Sequence, residues 1–167
     1  MVSKESLANI AAKAVRLIPG ISSYQDKEKL RDIDKRLRNQ LASTLDEERA
    51  RIDDVKSLFS KKLKFDLLDD LDTVTKKMLQ LADTIKFSAY GYSPLFDQGA
   101  VDKKKLEELY QFDQSLDEEL TSMKGQVDKL VSASETGLPA GINEVQRALG
   151  TLEKKLKSRE ELLKQVK

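Results

Sequence analysis

Apolar residues recur at helical spacing along most of this chain, and the pattern is most continuous over residues 23–88. This segment contains neither glycine nor proline, and its apolar positions follow one another at steps of three, four or seven. Such spacing places apolar side chains on one face of an α-helix. The segment is therefore predicted to be helical, either as one helix or as two helices that meet near Phe65 and Asp66.

Prolines at positions 19, 94 and 139 mark the predicted breaks in this pattern. Residues 3–18 are predicted to form a short amphipathic helix that stops at Pro19 and Gly20. Residues 88–101 are predicted to be a loop, and Asp102 is a suitable N-cap for the helix that follows. A second loop is predicted near 134–141, and the apolar pattern then continues to the C-terminus. The pattern predicts an N-terminal amphipathic helix over 1–20 and a single helical domain over 21–167.

Two all-α architectures fit this order of elements. One is an antiparallel bundle of about four long helices, near residues 23–62, 66–88, 102–134 and 141–166, together with the short N-terminal helix. The other draws the same helices out into a long coiled-coil hairpin with arms at 23–88 and 102–167. The equal lengths of the two arms favour the hairpin, whereas the wide apolar faces near Leu67 and Leu109 favour the bundle.

The residue types that the chain lacks exclude most catalytic chemistry. There is no His and no Cys among the 167 residues. The commonest general base, transition-metal ligands and thiol nucleophile are therefore missing. No phosphate-binding glycine pattern occurs, and the acidic run over 66–72 lacks the spacing of a calcium-binding loop. We expect no catalytic residues, no cofactor, no metal site and no small-molecule substrate, so the chain is predicted not to be an enzyme.

Charge and hydropathy limit the partners that the chain is expected to bind. The 30 basic and 29 acidic residues give a net charge of +1, which argues against a specific nucleic-acid binder. No apolar stretch approaches the length of a membrane span of about 20 residues. The expected location is the cytoplasm, with peripheral association at a membrane as the alternative.

Local positive charge is concentrated in two segments. Residues 27–38 contain six basic and three acidic side chains, and residues 154–167 contain six basic and two acidic ones. In both architectures these segments lie at the same end, so they are predicted to form one basic pole. The amphipathic segment 3–18 enters there and either binds an anionic membrane or a partner, or packs on the bundle. Its candidate contact residues are Leu7, Ile10, Lys13, Arg16, Leu17 and Ile18.

Two further groups of residues are candidates for a functional role. The predicted loop carries Tyr90, Tyr92, Leu95 and Phe96, which either anchor a protein partner or plug the end of the bundle. Glu48 and Arg159 occupy positions in the apolar stripe, where a polar side chain either fixes register and partner choice or extends from the seam into solvent.

These observations predict a non-enzymatic helical scaffold or adaptor that acts through protein–protein interaction or self-association. The alternative is a peripheral protein that binds anionic lipid surfaces through residues 3–18. In outline, an amphipathic leader, a proline break and a long helical hairpin resemble the phage-shock and vesicle-inducing membrane-remodelling proteins, and this architectural resemblance implies action at a bilayer.

Overall fold

The computed structural model describes residues 18–61, 65–87 and 103–164, and these residues form four α-helices and no strand. The helices are α1 (Lys27–Lys61), α2 (Phe65–Phe87), α3 (Lys103–Val131) and α4 (Leu138–Lys164). Short 3-10 helices at Ile21–Gln25 and Glu135–Gly137 precede α1 and α4. The predicted all-α bundle of four long helices is confirmed. The predicted loop at 88–101 and, apart from Ile18, the predicted N-terminal helix lie outside the described residues.

Local chemistry explains where α1 and α4 begin. Asp26 caps α1, because its Oδ1 accepts hydrogen bonds from the backbone N–H groups of Glu28 at 3.0 Å and Lys29 at 3.3 Å. Helix α4 begins at Leu138, three positions before the predicted start at 141, and so includes Pro139 in its first turn. Proline is tolerated there because the first N–H groups of a helix have no intrahelical partner.

Four contacts between helices fix their order around the bundle. Helix α1 packs along α2, where the Lys56 Nζ lies 2.8 Å from Asp72. Helix α3 packs along α4, with Lys155 at 2.8 Å from Glu119. The two hairpins are joined on one side by α2 against α4 and on the other by α1 against α3. The order around the bundle is therefore α1, α2, α4, α3. Helices that follow one another along the chain run antiparallel.

The drawn-out hairpin is not the architecture that the structure shows. Helix α2 folds back along α1, and the Lys86 Nζ lies 2.7 Å from Asp46, although 40 positions separate the two residues in sequence. Residues 23–88 therefore do not form one continuous arm. The break falls beside Phe65, where the sequence allowed a new helix to begin, and the wide apolar face of α2 is explained by its packing against both α1 and α4.

The apolar stripe of each helix forms a shared core. Leu37, Leu71, Leu116 and Leu152, one from each helix, are completely buried, as are many of their neighbours. Helices α3 and α4 approach most closely near their connection. A Cβ atom added to Gly141 would lie 3.0 Å from Leu130 Cδ1 and 3.3 Å from Leu130 Cα. A side chain at 141 would therefore crowd Leu130, which would have to move by a few tenths of an ångström.

Candidate functional site

The most unusual feature of the core is a group of ionised side chains that joins three helices. Arg159 of α4 is only 3% exposed. Its Nε donates to Asp113 Oδ1 at 2.5 Å, and its Nη1 donates to Asp34 Oδ1 at 2.7 Å. Asp113 belongs to α3 and Asp34 to α1, and both are almost completely buried. A single guanidinium therefore holds α1, α3 and α4 together.

Two further residues complete this group, which we call the Arg159 cluster (Tyr24, Asp34, Arg38, Asp113 and Arg159). The hydroxyl of Tyr24 donates to Asp113 Oδ2 at 2.8 Å, and the Nε of Arg38 donates to Asp34 Oδ2 at 3.0 Å. Both carboxylates thus accept hydrogen bonds on both oxygens. Such mutual satisfaction is what allows charged groups to remain in an apolar core.

The environment of the cluster shifts the pKa values of two of its members. Burial would lower the pKa of the Arg159 guanidinium, but the charges and hydrogen bonds of Asp113 and Asp34 together raise it above its usual value. Burial, together with the neighbouring Asp113 carboxylate, also raises the pKa of the Tyr24 hydroxyl well above 10. Arg159 therefore stays charged and Tyr24 stays protonated at any physiological pH.

Tyr24 is held in this cluster by the segment that precedes α1. The 3-10 helix Ile21–Gln25 contacts both α1 and α3, and it carries Tyr24 into the core with 1% exposure. The ring of Tyr24 meets that of Tyr110 edge to face, with 5.3 Å between their centroids. The chain before α1 is thereby attached to the body of the bundle.

Glu48, the other polar residue of the predicted seam, also belongs to a link between helices. It is 3% exposed, and its Oε2 accepts a hydrogen bond from Arg51 Nη1 at 2.6 Å. The other terminal nitrogen of Arg51 donates to Asp128 of α3 at 2.7 Å. This link connects α1 to α3 at Arg51, which follows Asp34 by 17 positions along α1. Polar contacts therefore connect α1 to α3 at two heights of the bundle.

The structure buries both seam residues instead of extending them into solvent. Arg159 and Glu48 do not meet, since each belongs to a separate link. The partners of Arg159 were missed by sequence reasoning. The available signal was spacing: Asp113 lies four residues after Leu109 and three before Leu116, so it occupies a buried position on α3.

The ends of α1, α3 and α4 gather basic residues on one side of the Arg159 cluster. Helix α1 begins seven residues before Asp34, α3 begins ten before Asp113, and α4 ends five after Arg159. The basic segments 27–38 and 154–164 therefore lie at the same end, which we call the basic end. Sequence reasoning did not include α3, which adds three consecutive lysines, Lys103–Lys105, to this end.

Exposed apolar side chains are concentrated on α2. Four of the described residues have large apolar side chains that are exposed. They are Leu58 at 53%, Phe65 at 62%, Leu79 at 43% and Phe87 at 82%. The last three belong to α2, and at about 100° per residue they fall within about 80° of one another around the helix. At about 1.5 Å per residue they span about 33 Å. We call this surface the outward face of α2, since it lies opposite the buried Met78.

The other predicted site residues have no described geometry. Leu7, Ile10, Lys13, Arg16 and Leu17, together with Tyr90, Tyr92, Leu95 and Phe96, lie outside the described residues, so their roles stay predictions. Ile18 is described, and it is buried in the core of the bundle at 8% exposure.

Comparison with known protein families, curated proteins and solved structures finds no match to this chain. Within residues 18–61, 65–87 and 103–164, no helix has the length and apolar character needed to cross a bilayer. No group of three or more acidic side chains in the same ranges is arranged to hold a metal ion.

Proposed function

We propose that this protein is a helical scaffold or adaptor, not an enzyme, and that it contacts other protein chains through the outward face of α2. The observation that carries this proposal is the alignment of Phe65, Leu79 and Phe87 on one side of a helix whose other side is fully used by the core. The three side chains share one face but lie 14 and 8 positions apart, with charged residues such as Asp72 and Lys76 between them. Each would therefore serve a partner chain as a separate apolar anchor.

The Arg159 cluster supports a structural role for the rest of the bundle. Its carboxylates are engaged on both oxygens, and Asp113 is completely buried, so no substrate can reach these groups. Their hydrogen bonds instead resist sliding of α1, α3 and α4 against one another. A bundle held in one register presents the side chains of its outer faces at fixed spacing, as a scaffold requires.

Sedimentation velocity over a range of concentrations tests the self-association form of this proposal. The variant Phe65→Gln/Leu79→Gln/Phe87→Gln removes apolar area from the outward face without changing charge. Leu58→Gln is the control, because Leu58 is equally exposed but lies on α1. We expect the wild-type protein and the control to form oligomers and the triple variant to sediment as a monomer. A wild-type protein that stays monomeric at all concentrations rules out self-association.

Photo-crosslinking in the cell tests the adaptor form. A photoreactive residue at position 79 is compared with one at Thr121, which is exposed on α3. We expect the photoreactive residue at position 79 to form an adduct with another protein, and the one at position 121 to form none. The adduct from position 79 should disappear when Phe65 and Phe87 are also changed to Gln. Equal adducts from both positions, or none from position 79, would contradict a contact through the outward face.

The basic end supports a second candidate function, peripheral binding to an anionic membrane. Three helix ends bring basic side chains to one side of the bundle, and the chain that contains residues 3–18 joins the bundle through the 3-10 helix at the same end. An apolar-faced segment beside clustered Lys and Arg attracts anionic lipid, because apolar insertion and charge attraction add.

Vesicle flotation at low and high salt tests this candidate. The variant Lys35→Gln/Arg36→Gln removes two exposed charges from the basic end, and Lys124→Gln/Lys129→Gln removes two from the exposed surface of α3 farther from that end. We expect the wild-type protein and the α3 variant to float with anionic but not neutral vesicles, and the first variant to float less. Flotation that is the same in all three proteins, or that is insensitive to salt, contradicts an electrostatic site at the basic end.

A further inference from the structure

A cavity of about 130 Å³ lies between α1, α2 and α4, next to the Arg159 cluster. Its apolar wall is built from five aliphatic side chains, which are Leu37, Leu41, Leu81, Ile85 and Leu156. An engineered cavity of about 150 Å³ with a similar aliphatic lining binds benzene in another protein. The cavity is therefore large enough for a six-membered ring or a branched aliphatic group.

Ion pairs mark the two ends of this cavity. Lys77 and Glu153 are the first residues along α2 and α4 to line it, and their charged groups are 2.7 Å apart. At the other end the lining includes Arg38 and Arg159, which both donate to Asp34. The cavity thus combines an aliphatic wall with charged groups at fixed positions, the usual composition of a small-molecule site.

Three of the charged groups that line the cavity meet at its Lys77 end. The carboxylate of Glu153 lies between two ammonium groups, that of Lys77 at 2.7 Å and that of Lys157 at 3.6 Å. The hydrogen bond from Lys77 holds the pKa of Glu153 below its usual value, so this carboxylate remains ionised. Lys157 also lines the cavity, and its side chain is 72% exposed, which places its charge at the opening. Glu153 is shared by these two ammonium groups, and Glu160, the other carboxylate of the lining, follows Lys157 by three positions on α4. A ligand carboxylate placed between Lys77 and Lys157 gains contact with two cations.

We infer that this cavity is a binding site for a small carboxylic acid with an aromatic or branched aliphatic body. The body lies against the aliphatic wall, and the carboxylate lies at the opening beside Lys157 and Lys77. The inference is independent of the outward face of α2 and of the basic end. Glu160, the other carboxylate of the lining, weakens binding of such an anion because like charges repel.

Nuclear magnetic resonance of the methyl groups provides the test, with benzoate, benzyl alcohol and benzylamine as probes. The three share one ring and differ in charge. We expect benzoate to shift the methyl signals of Leu81, Ile85 and Leu156 with a dissociation constant on the order of millimolar, as is usual for a ligand of this size. Benzyl alcohol should bind more weakly and benzylamine more weakly still. The methyl signals of Leu120, which lies outside the cavity lining, serve as the internal control.

Two matched pairs of variants test the charge of the site. Lys157→Gln should weaken benzoate binding by about two- to fivefold, the effect of one partly screened charge, whereas Lys154→Gln on the same helix should leave it unchanged. Glu160→Gln should strengthen binding by a similar factor, and the neighbouring Glu161→Gln should not. All four substitutions are at charged positions that are at least partly exposed, so they leave the core intact.

Three results would overturn the inference. Absence of methyl shifts with every probe would show that the cavity is a packing void. Equal affinity for the three probes would show an apolar space without charge selectivity. Tighter binding of benzylamine than of benzoate would reverse the class of ligand and assign the dominant role to Glu160.

Discussion

The Nε of Arg159 donates to Asp113 at 2.5 Å inside the core, and the two residues are 46 positions apart in sequence. Neither side chain has appreciable contact with solvent, since they are 3% and 0% exposed. The pair is therefore formed by tertiary packing alone, and with Asp34 it ties the α1–α2 hairpin to the α3–α4 hairpin.

Arg159→Met should destabilise the protein by about 3–5 kcal/mol, because it leaves the carboxylates of Asp34 and Asp113 buried without their main partner. Urea denaturation measures this loss as a lower free energy of unfolding at neutral pH. Replacing the charges together, in Tyr24→Phe/Asp34→Leu/Arg38→Met/Asp113→Leu/Arg159→Met, should recover most of it, since apolar groups need no partner. A combined variant that is less stable than Arg159→Met would contradict this account of the cluster.

Tyr24→Phe should lower the free energy of unfolding at neutral pH by about 1.5–3 kcal/mol, the value of a hydrogen bond to a charged group. Burial raises the pKa of Tyr24 in the folded protein above its unfolded value of about 10. The contribution of Tyr24 is therefore complete below about pH 10 and is lost as the pH rises further, because only the unfolded chain ionises.

Urea denaturation at increasing alkaline pH checks both parts of this prediction. The difference in stability between the wild-type protein and Tyr24→Phe should shrink above about pH 10. At neutral pH, Tyr110→Phe is the control, because the Tyr110 hydroxyl accepts its hydrogen bond from Gln114 at the surface. A loss as large in the control as in Tyr24→Phe would count against a special role for the bond to Asp113.

Asp72→Asn should lower stability at neutral pH and reduce the sensitivity of the fold to acid. Hydrogen bonds from Lys56 and Lys76 lower the pKa of Asp72 from 3.8 to about 2. The contribution of this carboxylate is therefore present above about pH 4 and is lost as the pH falls toward 2. The urea midpoints of the wild-type protein and the variant should converge over this range. Asp70→Asn, at an exposed position on the same helix, is the control, and its urea midpoint should follow that of the wild-type protein at each pH. A changed acid dependence in Asp70→Asn but not in Asp72→Asn would contradict the assignment.

Gly141→Ala should destabilise the protein by about 1 kcal/mol, because the new methyl group must displace Leu130, whose Cα would be only 3.3 Å away. Gly125 provides the matched control, since a Cβ added there meets nothing within 4 Å. Gly125→Ala should stabilise α3 by about 0.5–1 kcal/mol, the ordinary advantage of alanine over glycine within a helix. Thermal denaturation of both variants measures the two signs, and stabilisation by Gly141→Ala would show that α3 and α4 can separate without cost.

The helical class, the approximate helix limits and most positions that face the core follow from the amino-acid sequence, because each depends on the spacing of residues that are close along the chain. The stripe positions of Arg159 and Glu48 could be identified for the same reason. Helix α4 begins earlier than predicted, since a proline that usually interrupts a helix is accepted in its first turn.

The pairing of the helices and the contacts of the polar core residues depend on tertiary packing, which local sequence patterns do not encode. The periodicity of residues 23–88 is the same whether α2 continues α1 or folds back along it, and packing against α4 selects the second arrangement. Asp34 lies 125 positions from Arg159, and no local pattern relates two residues at that distance. The outward face of α2 and the cavity beside Arg159 also depend on tertiary packing, because the exposure of a side chain depends on whether a neighbouring helix covers it.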